Sequence, residues 1–125
     1  MTRTTLIVAL VAGLLTASGC SSSSTGSSYD LVEFAIDGPT QLAPGNHSLE
    51  VSNSGEFPHT LVVTDASGAV VAATDLVQSG ESTQLPVDLQ TGRYSFTCRI
   101  VAQTPNGDIA DHFEAGMSTT VTVEG

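Results

Sequence analysis

The sequence predicts an all-β fold, a Greek-key β-sandwich of about seven to eight short strands, on three observations. Apolar and polar residues alternate in brief runs such as Leu49-Glu50-Val51-Ser52 and Tyr94-Ser95-Phe96-Thr97-Cys98. Turn-forming clusters, among them Asp37-Gly38-Pro39, Ala43-Pro44-Gly45-Asn46, Asn53-Ser54-Gly55 and Asp65-Ala66-Ser67-Gly68, separate those runs at short intervals. No segment of the globular part sustains a helical period.

Taken in order, Val32, Phe34 and Ile36 alternate with Glu33 and Ala35 and predict a first half-buried strand. His47 to Ser52 carries Leu49 and Val51 on one face, and Thr60 to Thr64 and Ala69 to Thr74 read as a hairpin about Asp65-Ala66-Ser67-Gly68. Ser82 to Leu89 alternates through Leu85, Val87 and Leu89, and Pro86, which has no N–H for a ladder, marks it as an edge strand. Arg93 to Arg99 directs Tyr94, Phe96 and Cys98 inward, with Tyr94 expected as a core anchor of the tyrosine-corner kind. A polar segment containing Pro and Gly, Ala102 to Gly116, precedes the last strand, Met117 to Glu124.

The N-terminus reads as an address. Arg3, the apolar run Leu6 to Leu15 and the small residues Ala17-Ser18-Gly19 form a secretory signal over residues 1–19, too short in its apolar part for the roughly 20 residues a transmembrane helix needs. The ending Ala-Ser-Gly-Cys resembles a bacterial lipobox, which implies lipidation of Cys20. The Ser-rich stretch after it completes a linker over residues 20–28 that would hold a domain of residues 29–125 off a membrane. The expected location is therefore outside the cytoplasm, anchored by lipid to the outer face of the cytoplasmic membrane. A Cys20–Cys98 disulfide is the weaker alternative, because a flexible arm does not fix disulfide geometry.

Charge excludes one class of function. With 13 Asp+Glu against 3 Lys+Arg and a net charge of −10, the chain cannot neutralise a phosphate backbone, so no nucleic-acid partner is expected.

Cys98 ends one strand, Met117 opens the next, His112 lies in their connection, and His59 begins a strand far upstream. A sandwich gathers strand ends at one pole, where these four can converge. Two imidazoles, a thiolate and a thioether are the trigonal His₂Cys set with a weak axial Met of a blue-copper electron-transfer site. Three segments then carry a family resemblance: Asn53 to Val63 (NSGEFPHTLVV), Gly92 to Cys98 (GRYSFTC) and His112 to Val123 (HFEAGMSTTVTV) stand in the order of the ligand motifs of cupredoxins of the plastocyanin, azurin and halocyanin type. The chain resembles that family over Tyr29 to Gly125.

The resemblance implies one copper ion cycling between Cu(I) and Cu(II), held by His59, Cys98, His112 and Met117. It implies His112 at a solvent edge through which electrons pass, unidentified redox protein partners, a monomer, and no enzymatic turnover. Two departures stand out. Thirteen residues, Arg99 to Asp111, separate Cys98 from His112, a much longer interval than in small electron carriers of the family, and Thr60 stands where many members carry an Asn that pins the ligand loop. The Thr60 N–H is still expected to reach the Cys98 sulfur.

His47 reads as a surface turn residue, and Asp108, Asp111 and Glu114 as an acidic docking face. A single Cys in the ligand segment excludes a binuclear copper centre, and three His are too few for a second catalytic copper site. The alternatives are an exported copper-delivery protein using the same ligands, and a metal-free sandwich that retains only the fold.

Overall fold

The computed structural model describes residues 25–125, so the expected signal segment, Cys20 and the first residues of the Ser-rich run lie outside the described residues. Among the described residues there are eleven strands: β1 (Thr25–Val32), β2 (Ala35–Asp37), β3 (Gln41–Leu42), β4 (Gly45–Asn53), β5 (Val62–Thr64), β6 (Val70–Ala73), β7 (Ser82–Leu89), β8 (Gly92–Thr97), β9 (Val101–Gln103), β10 (Ile109–Asp111) and β11 (Ser118–Val123). One sheet has the order β2-β1-β4-β7 and the other β3-β11-β8-β5-β6, while β9 and β10 pair only with each other.

The period-2 alternation decides which side chains face inward. Tyr29, Leu31, Leu49, Val51, Leu85, Val87 and Leu89 from the first sheet meet Val63, Tyr94, Phe96, Val121 and Val123 from the second in one buried cluster. The rings of Tyr29 and Phe96 touch across the layer, with centroids 5.0 Å apart. The architecture is thus the predicted β-sandwich, with Pro86 on the edge strand β7. Tyr94 caps its own corner: its hydroxyl donates to the Gln90 carbonyl at 3.0 Å and accepts from the Gln90 N–H at 3.1 Å.

The strand count exceeds the expected seven or eight for two local reasons. The run expected as one strand over Val32 to Ile36 instead turns back at Glu33-Phe34, pairing Leu31 with Ile36 and Val32 with Ala35. That register buries Leu31 and Ile36, which a straight strand could not place together. The segment Ala102 to Gly116 also holds a hairpin, Val101 to Asp111, closed by Pro105-Asn106-Gly107, with Gly107 in the left-handed region that Asn-Gly turns use.

The linker expectation needs a similar correction. β1 begins at Thr25 and runs parallel to β4, with Thr25 to Ser28 opposite His47 to Glu50. Backbone pairing of this kind needs no apolar side chains, so a Ser-rich segment satisfies it as well as any other. Farther along, Tyr29 donates its hydroxyl to the Pro39 carbonyl at 2.8 Å, and a Cβ at Gly38 would overlap the Tyr29 ring.

Burial pushes the Tyr29 phenol up from 10.0 to about 12. Between those values the unfolded chain binds fewer protons than the folded one, so stability falls as pH rises. Urea unfolding is expected to show a loss of at most about 1 kcal/mol per pH unit from this group across that window. The Tyr29→Phe variant should lack that component, and an unchanged pH slope in it would exclude Tyr29 as the source.

Candidate metal centre

Each candidate donor is fixed through its backbone, at a strand end or by an isolated bridge. Cys98 follows β8, and its N–H donates to the Met117 carbonyl at 3.1 Å, joining the end of β8 to the start of β11. His59 is held between β4 and β5 by reciprocal bonds with Val77: its N–H donates to the Val77 carbonyl at 3.0 Å and the Val77 N–H donates back at 2.8 Å. His112 follows β10, and its N–H donates to the Ile100 carbonyl at 3.0 Å.

That last bond accounts for the long interval. The β9–β10 hairpin closes on itself by pairing Val101 with Asp111, so the chain leaves after Ile100 and returns at His112 beside the point of departure. The inserted residues form a hairpin that borders Phe57 and His112, and His112 comes back within reach of Cys98. A tight turn then carries the chain on: the Met117 N–H donates to the His112 carbonyl at 3.0 Å and the Gly116 N–H to the Phe113 carbonyl at 3.0 Å. Gly116 takes a positive φ of 104°, which favours Gly there.

His59, Cys98 and His112 offer three ligand atoms within 4.8 Å of one another, all buried. The two Nδ1 atoms are 3.1 Å apart, and Cys98 Sγ lies 3.8 Å from His59 Nδ1 and 3.6 Å from His112 Nδ1. The Thr60 N–H points at the sulfur from 3.5 Å, as expected, and the Thr60 hydroxyl is 3.9 Å from it. Met117 is fully buried and joined through its backbone to both Cys98 and His112. Two imidazole nitrogens and a sulfur converging without intervening side chains fit a single thiophilic metal ion, and the mixed N₂S set suits copper.

Electrostatics follow from this packing. Burial lowers the His112 pKa and the nearby His59 ring lowers it further, while Glu33 and Asp111 pull the other way. Both factors keep His112 neutral, the form that binds a metal. Glu33 shows the opposite balance: partial burial raises its pKa, but hydrogen bonds from the Phe57 and Glu56 backbone and from His59 outweigh that and bring it to about 2.

Two residue roles went unread in the sequence. Glu33, at the β1–β2 turn, accepts from His59 Nε2 at 2.9 Å and from the Phe57 N–H at 2.9 Å. Its only sequence signal was a charged residue inside an apolar alternation. Asn53 is buried and clips the ligand loop, donating to the Phe57 and Val77 carbonyls at 2.8 Å each and accepting from the Gly55 N–H at 2.9 Å. It supplies pinning that Thr60 alone would not.

Other expectations change. His112 is 1% exposed, not at a solvent edge, because the Phe34 and Phe57 rings lie 5.2 and 6.3 Å from its own. The β1–β2 turn, in place of the straight strand expected over Val32 to Ile36, brings Phe34 there. His47 is buried on β4, not a surface turn residue, with Nε2 2.6 Å from the Ala43 carbonyl, and it lies outside the donor group. Of the acidic trio, Asp111 is half-buried and accepts from the Glu114 N–H at 3.1 Å, so it shapes the turn after β10.

No protein-family model matches the chain, and no curated protein matches it in sequence. Solved structures do match. Reduced auracyanin from Roseiflexus castenholzii superposes with a TM-score of 0.61 at 18% identity, covering 84% of this chain and 100% of its own. Auracyanin B gives 0.62 at 19% identity over 80% of this chain and 88% of its own, and an azurin from Methylomonas sp. strain J gives 0.60 at 14% over 82% and 100%. These neighbours are cupredoxins, and the fold of this chain is the cupredoxin β-sandwich.

Histidine position, not histidine content, should decide metal binding. In His112→Ala, Cu(II) titration is expected to show loss of tight binding. In His47→Ala it should be unchanged, while denaturation shows a loss of about 1–3 kcal/mol from the broken buried contact. Equal effects of the two variants on copper affinity would refute the assignment.

Proposed function

We propose that this chain is a mononuclear type 1 copper protein that carries single electrons between extracytoplasmic redox partners, tethered to a membrane through Cys20. The observation that carries the reading is the buried convergence of His59, Cys98 and His112, with Met117 backbone-bonded to both ends of the ligand segment. The cupredoxin fold supports it, one neighbour of that fold being described as a "blue" copper protein. Bound copper would supply a one-electron couple, Cu(II) to Cu(I).

The chain's own residues account for the rest. Cys98 binds as thiolate, and the Thr60 N–H at 3.5 Å stabilises charge on its sulfur. The strands holding Cys98 and the Val77 clasp on His59 restrict rearrangement between oxidation states, which suits rapid electron exchange. Met117 would supply the fourth, weaker donor, and its softness would favour the reduced ion. Phe34 and Phe57 keep water from His112. Burial of all three principal donors argues for retention over delivery of copper, since a delivery site must open to its acceptor.

The test is the absorption spectrum of the full chain, solubilised in mild detergent and titrated with Cu(II). An intense thiolate-to-copper band near ~600 nm, bleached by mild reductant and absent from Cys98→Ser, is expected. Copper binding without that band would overturn the type 1 assignment. For the tether, Cys20→Ala is expected to move the protein from the membrane to the soluble fraction of a bacterial host, and unchanged membrane association would remove the lipid anchor from the proposal.

A further inference from the structure

We propose that Glu33 is the positioning residue of this centre: from the β1–β2 turn it fixes the His59 tautomer that leaves Nδ1 free to bind metal, and its charge favours the oxidised ion. The charge component rests on the copper reading above, whereas the tautomer component does not.

A carboxylate only accepts, so the 2.9 Å contact between Glu33 Oε1 and His59 Nε2 requires the proton on Nε2. A neutral imidazole has one proton, and Nδ1 is then left as a lone pair. That atom is the one facing His112 Nδ1 at 3.1 Å and Cys98 Sγ at 3.8 Å. Glu33 thus presents the correct nitrogen to the donor group, and a hydrogen-bonded carboxylate also makes its histidine a stronger ligand.

The carboxylate is itself built in. The same Oε1 accepts the Phe57 N–H at 2.9 Å, and the side chain is only 24% exposed. The Ser54 and Gly55 N–H groups donate to the Leu31 carbonyl at 3.1 and 3.2 Å, and Asp30 accepts from the Ser54 N–H and hydroxyl at 3.1 and 2.8 Å. The end of β1, just before Glu33, is therefore stitched to the ligand loop. Gly55 completes the seat, because a Cβ there would overlap the Glu33 carboxylate.

A carboxylate on the far side of a ligand ring should stabilise Cu(II) more than Cu(I), since the extra positive charge is what it attracts. Two substitutions separate orientation from charge. Glu33→Ala removes both. Glu33→Gln removes the charge alone, because the Phe57 N–H can only donate and so holds the amide oxygen, not its NH₂, toward His59.

The experiment uses the full chain in mild detergent, with circular dichroism to establish that each variant is folded. In the metal-free protein, ¹⁵N NMR of the imidazoles is expected to show His59 with its proton on Nε2 in wild type and Glu33→Gln, and a mixture of tautomers in Glu33→Ala. Gly55→Ala, which displaces the carboxylate without deleting it, should reproduce the mixture. Identical tautomers in wild type, Glu33→Ala and Gly55→Ala would overturn the positioning role. In the copper arm, Cu(II) affinity should fall roughly 10- to 100-fold in Glu33→Ala. The reduction potential should rise in both Glu33 variants, and an unchanged potential would overturn the charge component. Should wild type lack the thiolate-to-copper band, the copper reading fails, while the metal-free tautomers still decide the role of Glu33.

Discussion

Three atoms of metal-donor type held side by side in a buried cluster are the constraint on which the rest of this structure depends. Lone pairs taken from water need partners, and two imidazole nitrogens 3.1 Å apart beside a thiol have few besides each other. Such an arrangement persists only where the surroundings leave no room for the rings to turn away. The sandwich supplies that restraint by anchoring each donor at or beside a strand end whose backbone is bonded to a neighbour: Cys98 to Met117, His59 to Val77, His112 to Ile100.

The elements that look peripheral serve the same constraint. The Asn53 amide and the Glu33 carboxylate both act on the loop before His59, one from beneath and one from the β1–β2 turn. Phe34, from that turn, and Phe57, from the loop itself, close over His112. The base of the β9–β10 hairpin pairs before the chain re-enters the core at His112, and Ala102 to Pro105 and Ala110 line a pocket with Phe57 and His112. The hairpin's exposed Val101 and Ile109 distinguish this molecule's surface from its interior plan.

Much of this was legible in the residues. Alternation identified β4, β7, β8 and β11 and their inward faces, since a strand with one buried side must repeat every second residue. The four ligand-type residues were legible because soft and nitrogenous donors are unusual enough that their order along the chain carries information. Glu33 was not, because an acidic residue in a chain of net charge −10 is unremarkable until its neighbour is known. His47 was misread for a related reason: polar side chains are assigned to the surface unless a partner is visible, and its partner is a backbone carbonyl. The turn at Glu33-Phe34 went unseen because it contains none of the usual turn residues and is imposed by pairing Leu31 with Ile36.

By itself, then, the sequence determined the fold class, the inward faces of the long strands and the chemistry of the donor set, all of which are local or compositional properties. Tertiary structure alone decided which atoms of those donors face one another, which carboxylate orients His59, how a thirteen-residue excursion returns to its origin, and that His112 is covered. These depend on contacts between segments tens of residues apart, such as Glu33 with His59 and His59 with His112. Periodicity in one segment records that a side chain points inward, but not what it meets there.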